Sequence, residues 1–271
     1  MANWMQYFTN PMPKLTHLLI YPIKSLDGIA VDHAKILPGG ALEHDREFCI
    51  VDRANKIVNG KRTAAIHQIR STFDLKARIV TLAIQNEQPV SFHLDHGRRG
   101  IEGWLSDYFG FSVTLKQDLT TGFPDDSASP GPTLISTATL ERAASWFSDI
   151  TVEEMRSRLR TNLELGDVAA FWEERLYSTD ETPVRFQIGE VELQGINPCQ
   201  RCIVPTRDAR SGEAYPQFQK TFMLQRRAEF PAWADETRFT HYYRMAINTR
   251  IAPTEAGKIL RIGDILSCGS S

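Results

Sequence analysis

The stretch Val184-Arg-Phe-Gln-Ile-Gly-Glu-Val-Glu-Leu193 decides the fold of this chain. Apolar and polar residues alternate from Val184 to Ile188, which is the period of a strand with one buried face. Gly189-Glu190 then supplies a two-residue link with glycine first, as a type II′ hairpin turn requires. The sequence therefore predicts a β-hairpin whose second strand covers Val191 to Leu193.

Short runs of β-type residues recur on both sides of this hairpin, separated by Gly, Asn and Asp. Further strands are predicted at 15–23, 47–52, 73–84, 89–94, 111–116, 161–165, 203–206, 243–248 and 259–266. Before residue 100 the regular spacing of these runs favours a barrel or sandwich over a βαβ unit. We expect an α+β protein that is mainly β.

Short helices interrupt the strand pattern. One is predicted at 103–110, and another carries apolar residues at helical spacing over 140–147 with one of Ser136-Thr137 as its N-cap. A third begins at Thr151, which forms a capping box with Glu154. The stretch 215–239 shows no periodicity from which its structure can be assigned.

A break in pattern falls at Thr120 to Pro132, which is dense in Gly, Pro, Ser, Asp and Thr. Such a composition interrupts both helical and strand periodicity and is typical of a loop or linker. We therefore divide the chain into an N-terminal β-rich domain at 14–119 and a second domain, with short helices, at 120–268.

Composition excludes several classes of protein. The 271 residues carry a formal net charge of −2, so no global field draws the chain to nucleic acid or to anionic lipid. No apolar run is long enough to span a bilayer, and no signal peptide or membrane anchor is expected. The chain has too few cysteines for a disulfide framework, which favours a reducing compartment and a cytoplasmic location; they are Cys49, Cys199, Cys202 and Cys268.

The strongest chemical signal is Asn197-Pro-Cys-Gln-Arg-Cys202. A structural zinc site needs four ligands, and the sequence has no second Cys-x-x-Cys and no suitably spaced pair of histidines. A thioredoxin-type pair needs a helix after its first cysteine, which Ile203-Val-Pro205 disfavours. Two interpretations stay open: two buried cysteines at a turn, or one thiolate presented to a soft metal with Arg201 nearby to favour the anion.

Lys24 and Ser25 follow a predicted strand in Tyr21-Pro-Ile-Lys-Ser-Leu26, and Arg46 enters another in His44-Asp-Arg-Glu-Phe48. Arginine binds phosphate through two parallel hydrogen bonds, and lysine acts as a point charge. These residues are therefore candidates for a phosphate site, although side chains at strand ends are also commonly solvated.

Leu159-Arg-Thr-Asn-Leu163 supplies a further polar pair. Asn162 offers donors and an acceptor, and Arg160 adds fixed donors, so together they could bind the edge of a heterocycle. The alternative interpretation is an ordinary helix end. Nucleotide-binding, serine-hydrolase and zinc-protease motifs are missing from the sequence, as is a plant-type iron–sulfur motif. We expect no iron–sulfur cluster in this chain, so electrons would come from another protein.

Taken in order, these stretches resemble the MOSC superfamily, specifically proteins in which an N-terminal MOSC β-barrel domain precedes the MOSC domain. The resemblance runs from about Leu15 to Leu266 and implies a MOSC β-barrel with short helices after a β-rich N-terminal domain. Its motifs are Tyr21-Pro-Ile-Lys-Ser25, Asp45-Arg-Glu-Phe48, Leu134-Ile-Ser-Thr-Ala-Thr-Leu140, Arg160-Thr-Asn162, Cys199-Gln-Arg-Cys202 and Gly257-Lys-Ile-Leu-Arg-Ile-Gly-Asp264.

Within that superfamily the chain is most similar to the mitochondrial amidoxime-reducing component and its bacterial relatives, which are molybdenum enzymes. The resemblance implies a molybdenum cofactor, a molybdopterin with molybdenum, bound between the two domains with Cys202 as the protein ligand of the metal. It also implies three sets of cofactor contacts: Lys24, Ser25 and Arg46 at the phosphate, Arg160 and Asn162 at the pterin, and Asp125 and Ser127 in the linker.

The implied activity is reduction of N-hydroxylated (amidoxime or hydroxylamine-type) or N-oxide compounds. Electrons would come from a separate ferredoxin, flavoprotein or cytochrome b5 type of protein. A non-catalytic carrier of sulfur or of the cofactor, acting through the same cysteines, is the alternative. The resemblance also implies an association with pyridoxal phosphate binding, for which these residues themselves give no argument. One departure is Leu176 after Glu173-Glu174-Arg175, where the family usually has tryptophan after an acidic pair.

Overall fold

A computed structural model describes residues 12–179 and 182–268. Within these residues it contains four α-helices: α1 Arg98–Phe109, α2 Thr137–Ala144, α3 Val152–Leu159 and α4 Phe218–Ala228. The strands are β1 Lys14–Ile20, β2 Ile29–Ala30, β3 His33–Lys35, β4 Phe48–Asp52, β5 Arg70–Asp74, β6 Ile79–Ala83, β7 Val90–His93, β8 Val113–Gln117, β9 Leu134–Ser136, β10 Leu163–Gly166, β11 Val184–Ile188, β12 Val191–Gln200, β13 Arg244–Arg250, β14 Ile259–Arg261 and β15 Leu266–Cys268. The fold is α+β and mainly β, as the sequence predicts.

The largest sheet has eight strands in the order β15-β11-β12-β13-β9-β10-β1-β2. The start of β1 also contacts the segment that enters β15, at the other side of the sheet, because Leu15 N donates to Asp264 O and Leu266 N donates to Pro13 O, both at 2.8 Å. A cluster of buried aliphatic residues fills its inner face, including Leu18, Leu165 and Leu193. The alternation that predicts the strands therefore also predicts which side chains form this core.

The predicted hairpin is β11 and β12. Ile188 pairs with Val191, and Gly189 has φ +58°, so the two-residue turn is made with glycine in its first position as predicted. β12 continues far beyond Leu193, to Gln200, and its pairing with β13 shifts register on either side of Pro198. Such irregularities are where a strand accommodates proline. This extension carries the chain from the hairpin to Cys199.

The N-terminal part packs around its own core. β4 pairs with β8, and β5, β6 and β7 form a separate three-stranded sheet. One face of α1 contributes Ile101 and Leu105 to the buried cluster between these elements. β1 and β2, in contrast, belong to the eight-stranded sheet, so the two ends of the chain share one sheet. The division at residue 120 stays a prediction.

Helices α2, α3 and α4 cover another part of the eight-stranded sheet through a core rich in aromatic rings. Ser136 caps α2 by accepting a hydrogen bond from the Thr139 amide at 3.1 Å. Thr151 caps α3 by accepting one from the Glu154 amide at 3.1 Å. Both predicted N-caps are therefore confirmed, because capping depends on residues close together in the chain. The capping box is only half formed, since the Glu154 carboxylate accepts from Ala209 N and pairs with Arg158 instead of accepting from the Thr151 amide.

Three strand predictions are wrong in detail. The run 73–84 is a hairpin of β5 and β6 rather than one strand, with Arg78 at φ +57° in the turn between them. The run 259–266 is split at Gly263, which has φ +93°. The run 203–206 ends as a 3-10 helix, Val204–Thr206, whose first turn contains Pro205. Proline fits the first turn of a helix, so Pro205 favours a helical turn here even though its neighbours are β-branched.

The segment 215–239, whose structure the sequence leaves unassigned, forms α4 and the 3-10 helix Glu236–Arg238. No helix in residues 12–179 and 182–268 has the length and apolar character needed to cross a bilayer.

Candidate functional site

A cavity of about 910 Å³ lies where the end of β1, the segment 121–131, the end of α3 and the end of β12 meet. We call it the central cavity. Seven of the eight predicted site residues line it: Lys24, Ser25, Arg46, Asp125, Arg160, Asn162 and Cys202. Ser127 does not; it is exposed, and Asp126 and Ser129 of the same segment line the wall instead. The predicted linker thus forms part of the cavity.

Lys24 holds that segment in place. Its ammonium group donates to Phe123 O at 2.8 Å and to Pro124 O at 3.0 Å, and it pairs with Asp125 Oδ1 at 2.8 Å. Burial lowers the pKa of Lys24, and the carboxylate of Asp125 opposes that shift. All three donors of Lys24 are therefore used within the protein, and its main structural effect is to fix the loop that forms the wall.

Arg46 and Arg160 lie beside the ring of Tyr21, with guanidinium carbons 5.2 and 4.1 Å from its centroid. Arg46 pairs with Asp45 at 2.5 Å. Arg160 donates only through Nη2, to Leu26 O at 2.7 Å, among the described residues. Burial lowers the pKa of Arg160 and the positive charge of Arg46 adds to that shift. Arg160 therefore has several donors free for an anion in the cavity.

Three of the predicted site residues have a left-handed backbone. Ser25 has φ +76°, Arg46 has φ +50° and Arg160 has φ +53°. This region is unfavourable for residues other than glycine, and such residues collect at functional sites, where the surrounding structure enforces them. Here the three turns, which lie at the ends of β1, β4 and α3, direct these side chains toward the central cavity.

Asn162 serves the fold as well as the cavity. Its Oδ1 accepts from Thr133 N at 3.2 Å, and its Nδ2 donates to Leu19 O at 3.0 Å. The side chain is 1% exposed and so ties the start of β10 to β1 and to the segment before β9. Most of its hydrogen-bonding capacity is used by the backbone, which leaves less for a ligand than the sequence suggests.

The two neighbouring cysteines have different surroundings. Arg201 Nη1 lies 3.3 Å from the sulfur of Cys199, and Arg201 Nη2 donates to Leu159 O. Cys202 is half-buried, and its sulfur has no hydrogen-bond partner in the part of the chain that the structure describes. Both thiols are free and both line the central cavity. The predicted proximity of Arg201 to a thiol therefore concerns Cys199.

The central cavity is strongly basic although the chain is not. Eleven lysine and arginine side chains line it, against five carboxylates. Several of these cations were not singled out in the sequence, among them Arg207, Arg210 and Arg244, and His67 lines the wall as well. Arg207 and Arg210 come from one segment and Arg244 and His67 from two others, so no local motif could have pointed to them together. A cavity of this charge attracts anionic ligands.

Residues 173 and 174, at the departure from the family pattern, lie outside the walls of the cavity. Glu174 pairs with Arg226, and both are buried. The guanidinium carbon of Arg226 lies 4.4 Å from the centroid of Phe171 and about 5 Å from those of Phe230 and Phe239. This charge pair anchors α4 to the 3-10 helix Trp172–Arg175, away from the cavity wall.

No group of three or more His, Cys, Asp or Glu side chains in residues 12–179 and 182–268 is placed to hold a metal ion. Within these residues, Cys202 therefore offers its thiol to the basic cavity without other His, Cys, Asp or Glu side chains grouped around it as metal ligands.

Glu47, next to Arg46, gives a testable pH dependence. Burial alone would raise its pKa, but hydrogen bonds from His44, Arg78 and Gln117 outweigh burial and lower it to about 2 from an ordinary value of 4.5. Because the folded value is the lower one, the stabilisation is complete above about pH 4.5 and is lost as the pH falls toward 2. The shift corresponds to roughly 3 kcal/mol.

Glu47→Gln should therefore lower the free energy of unfolding at pH 7 by roughly 3 kcal/mol and flatten its dependence between pH 5 and 2. Urea denaturation at several pH values measures both effects. Glu87→Gln, at an exposed position, is the control and should behave as the wild type. The same acid dependence in the Glu47→Gln variant and the wild type would contradict this role.

With the geometry described, comparison with known proteins defines the class. A family model for the MOSC N-terminal beta barrel domain matches residues 12–154. A model for the MOSC domain matches residues 133–266. The chain belongs to the MOSC superfamily, as the six motifs predict.

Individual relatives are distant. The chain is 25% identical to the molybdenum cofactor sulfurase of Drosophila mojavensis over an alignment of 238 residues, which covers 76% of this chain and 29% of the relative. It is 21% identical to the molybdenum cofactor sulfurase of Homo sapiens over an alignment of 246 residues, which covers 73% of this chain and 27% of the relative. The chain therefore spans less than a third of the length of these relatives.

Proposed function

We propose that this protein binds the molybdenum cofactor in its central cavity and reduces N-hydroxylated compounds there with electrons from a separate donor protein. The observation that carries the proposal is the meeting of Cys202 with Arg46 and Arg160 at one cavity, although they come from different elements. Membership of the MOSC superfamily and similarity to molybdenum cofactor sulfurases support a role related to this cofactor.

The cavity suits such a ligand in three respects. Its volume of about 910 Å³ is within the range of pockets that bury whole cofactors. Its surplus of arginine and lysine suits a phosphate group. Cys202 offers a free thiol, and thiolates are the protein ligands that soft metals prefer.

Different residues would bind different parts of the cofactor. Cys202 would hold molybdenum through its sulfur. Arg160, with donors free, and Arg46, which pairs with Asp45, would bind the phosphate, and Ser25 would add its hydroxyl. Lys24 would act mainly by fixing the loop at Asp125, because its donors already have protein partners.

When bound, the cofactor supplies two-electron chemistry that amino-acid side chains lack. Reduction of an N–OH group to N–H consumes two electrons and two protons and releases one water molecule. The tasks left to this chain are to position the substrate, to limit solvent access and to keep cations near groups that carry negative charge.

The experiment that tests this proposal is chemical analysis of protein purified from a host that makes the cofactor. We expect about one molybdenum and one pterin per chain, by elemental mass spectrometry and by fluorescence of the oxidised pterin. We also expect the loaded protein to reduce benzamidoxime with chemically reduced methyl viologen as donor. Folded protein that contains neither metal nor pterin would contradict the proposal.

A carrier function is the second candidate, and Cys199 favours it. Its sulfur accepts a contact from Arg201 Nη1 at 3.3 Å and lies in the same cavity as Cys202, so the cavity presents a second thiol. Loaded protein that reduces no N-hydroxylated compound but bears a persulfide on Cys199 by mass spectrometry would support a carrier over a reductase.

A further inference from the structure

The central cavity has more positive charge than one phosphate group requires. Six of its cations have no carboxylate within 4.0 Å among the described residues: Lys61, Arg160, Arg201, Arg207, Arg210 and Arg244. Arg160 lies beside Arg46, and Arg201 lies at Cys199. Lys61, Arg207 and Arg210 are carried by the segments 59–68 and 204–212, which pack against each other.

Two contacts establish that packing. Gln68 Nε2 donates to Ser211 O at 3.3 Å. A methyl group placed on Gly212 would lie 2.8 Å from Ala64 O, so the two backbones approach closely. The segments 59–68 and 204–212 therefore form one wall of the cavity.

Arg207 has no available counter-charge in this wall. Its Nη1 donates to Gly212 O at 3.0 Å, and its Nε is buried with no hydrogen-bond partner in residues 12–179 and 182–268. The nearest carboxylate in sequence, Asp208, accepts from the amides of Arg210 and Ser211 and lies 3.7 Å from Arg158 Nη2. A buried guanidinium nitrogen without a hydrogen-bond partner is unfavourable, so a ligand that supplies an acceptor would stabilise it.

His67 lies in the same wall, and the positive charge around it affects its pKa. Its Nε2 is buried and has no hydrogen-bond partner among the described residues. Burial lowers the pKa of His67, and the positive charges of Arg160, Arg207 and Arg70 lower it further. Three arginines therefore act on one imidazole in this wall, and positive charge of this kind favours a bound anion.

We propose that Lys61, Arg207 and Arg210 form a second anion site in the central cavity, which binds a carboxylate of the substrate. The preferred substrates are then N-hydroxylated compounds that bear a negative charge. This inference rests on the proposed function, since it names the substrate class of the same cavity. A second phosphate on the cofactor itself, as in a nucleotide-extended pterin, has the same chemistry and is the other source of an anion.

The test compares two ligands of the same shape, 4-carboxybenzamidoxime and 4-carbamoylbenzamidoxime, of which only the first is charged. Binding to the cofactor-loaded protein is measured by calorimetry, and reduction is measured separately. We expect the carboxylate to bind at least tenfold more tightly. In the double variant Lys61→Gln, Arg210→Gln that ratio should fall to near one. Both side chains are exposed, so the fold should persist, as the melting temperature would show.

Arg53→Gln with Arg62→Gln is the matched control, because it removes the same net charge from exposed positions outside the central cavity. The control should keep the tenfold ratio. Equal affinity for the two ligands, or a ratio that survives in the Lys61 and Arg210 variant, would overturn the proposal. Release of a nucleotide in equal amount with the pterin, with no ligand preference, would assign the site to the cofactor and also overturn it.

The two proposals fail in different ways. A charge preference in binding without any reduction leaves the anion site standing and contradicts the reductase function. Reduction of both compounds without a preference leaves the function standing and contradicts the anion site.

Discussion

Replacing Cys202 with alanine should reduce molybdenum in the purified protein from about one atom per chain to less than a tenth, whereas Cys199→Ala should keep most of it. The difference follows from the surroundings of the two sulfurs. Cys202 is free of hydrogen bonds within the described residues and faces the central cavity, so its sulfur is available to a metal. The sulfur of Cys199 already contacts Arg201. Loss of the one protein ligand removes a bond that binding at the other sites cannot replace.

Turnover should fall at least a hundredfold in Cys202→Ala and by much less in Cys199→Ala. Metal content and melting temperature must be measured with activity, because they separate loss of the cofactor from loss of the fold. The two variants are matched, since each removes one sulfur from the same cavity wall. Equal loss of metal in both, with melting temperatures unchanged, would show that the metal does not depend on Cys202 alone.

Much of this fold is readable from local sequence. The β11–β12 hairpin follows from alternation and one glycine, and the caps at Ser136 and Thr151 follow from contacts three residues apart. Predictions from local sequence fail where contacts with residues distant in the chain determine the structure. Residues 203–206 have β-type composition, yet the chain leaves the sheet after Gln200 and turns at Pro205. The end of β12 is set by its pairing with β13, which no local pattern reveals.

The candidate site is predictable to a different extent. Short motifs point to Lys24, Arg46, Arg160 and Cys202, and the structure brings these residues to one cavity. The left-handed backbone at Ser25 could not be foreseen, because glycine is the residue that normally indicates such a turn.

Contributions from long-range packing are missed altogether. Arg207 and Arg210 look like ordinary surface cations in the sequence, and only the packing of 204–212 on 59–68 makes them part of the cavity wall. The assignment of Arg201 to Cys199 rather than Cys202 also depends on side-chain direction, since Arg201 lies between the two cysteines in sequence.

Gly195 links the packing of the eight-stranded sheet to the candidate site. We expect it to be the position at which adding a single methyl group is most destabilising. A methyl group added there would lie 1.7 Å from the carbonyl oxygen of Leu176, far inside contact distance. Leu176 is fully buried, so the backbone around it has little room to move. Gly195 lies in β12, four residues before Cys199, and any displacement that relieves the clash would be transmitted toward the cysteines.

Gly195→Ala should therefore lower the free energy of unfolding by roughly 3 kcal/mol or more. It should also lower the cofactor content, even though the residue does not line the cavity. Gly103→Ala is the matched control: nothing lies within 4 Å of the added methyl group, and the position is exposed within α1. That substitution should raise stability by about 1 kcal/mol, because alanine favours the helix. Urea denaturation compares the two, and a Gly195→Ala protein as stable as the wild type would contradict the close approach of β12 to Leu176.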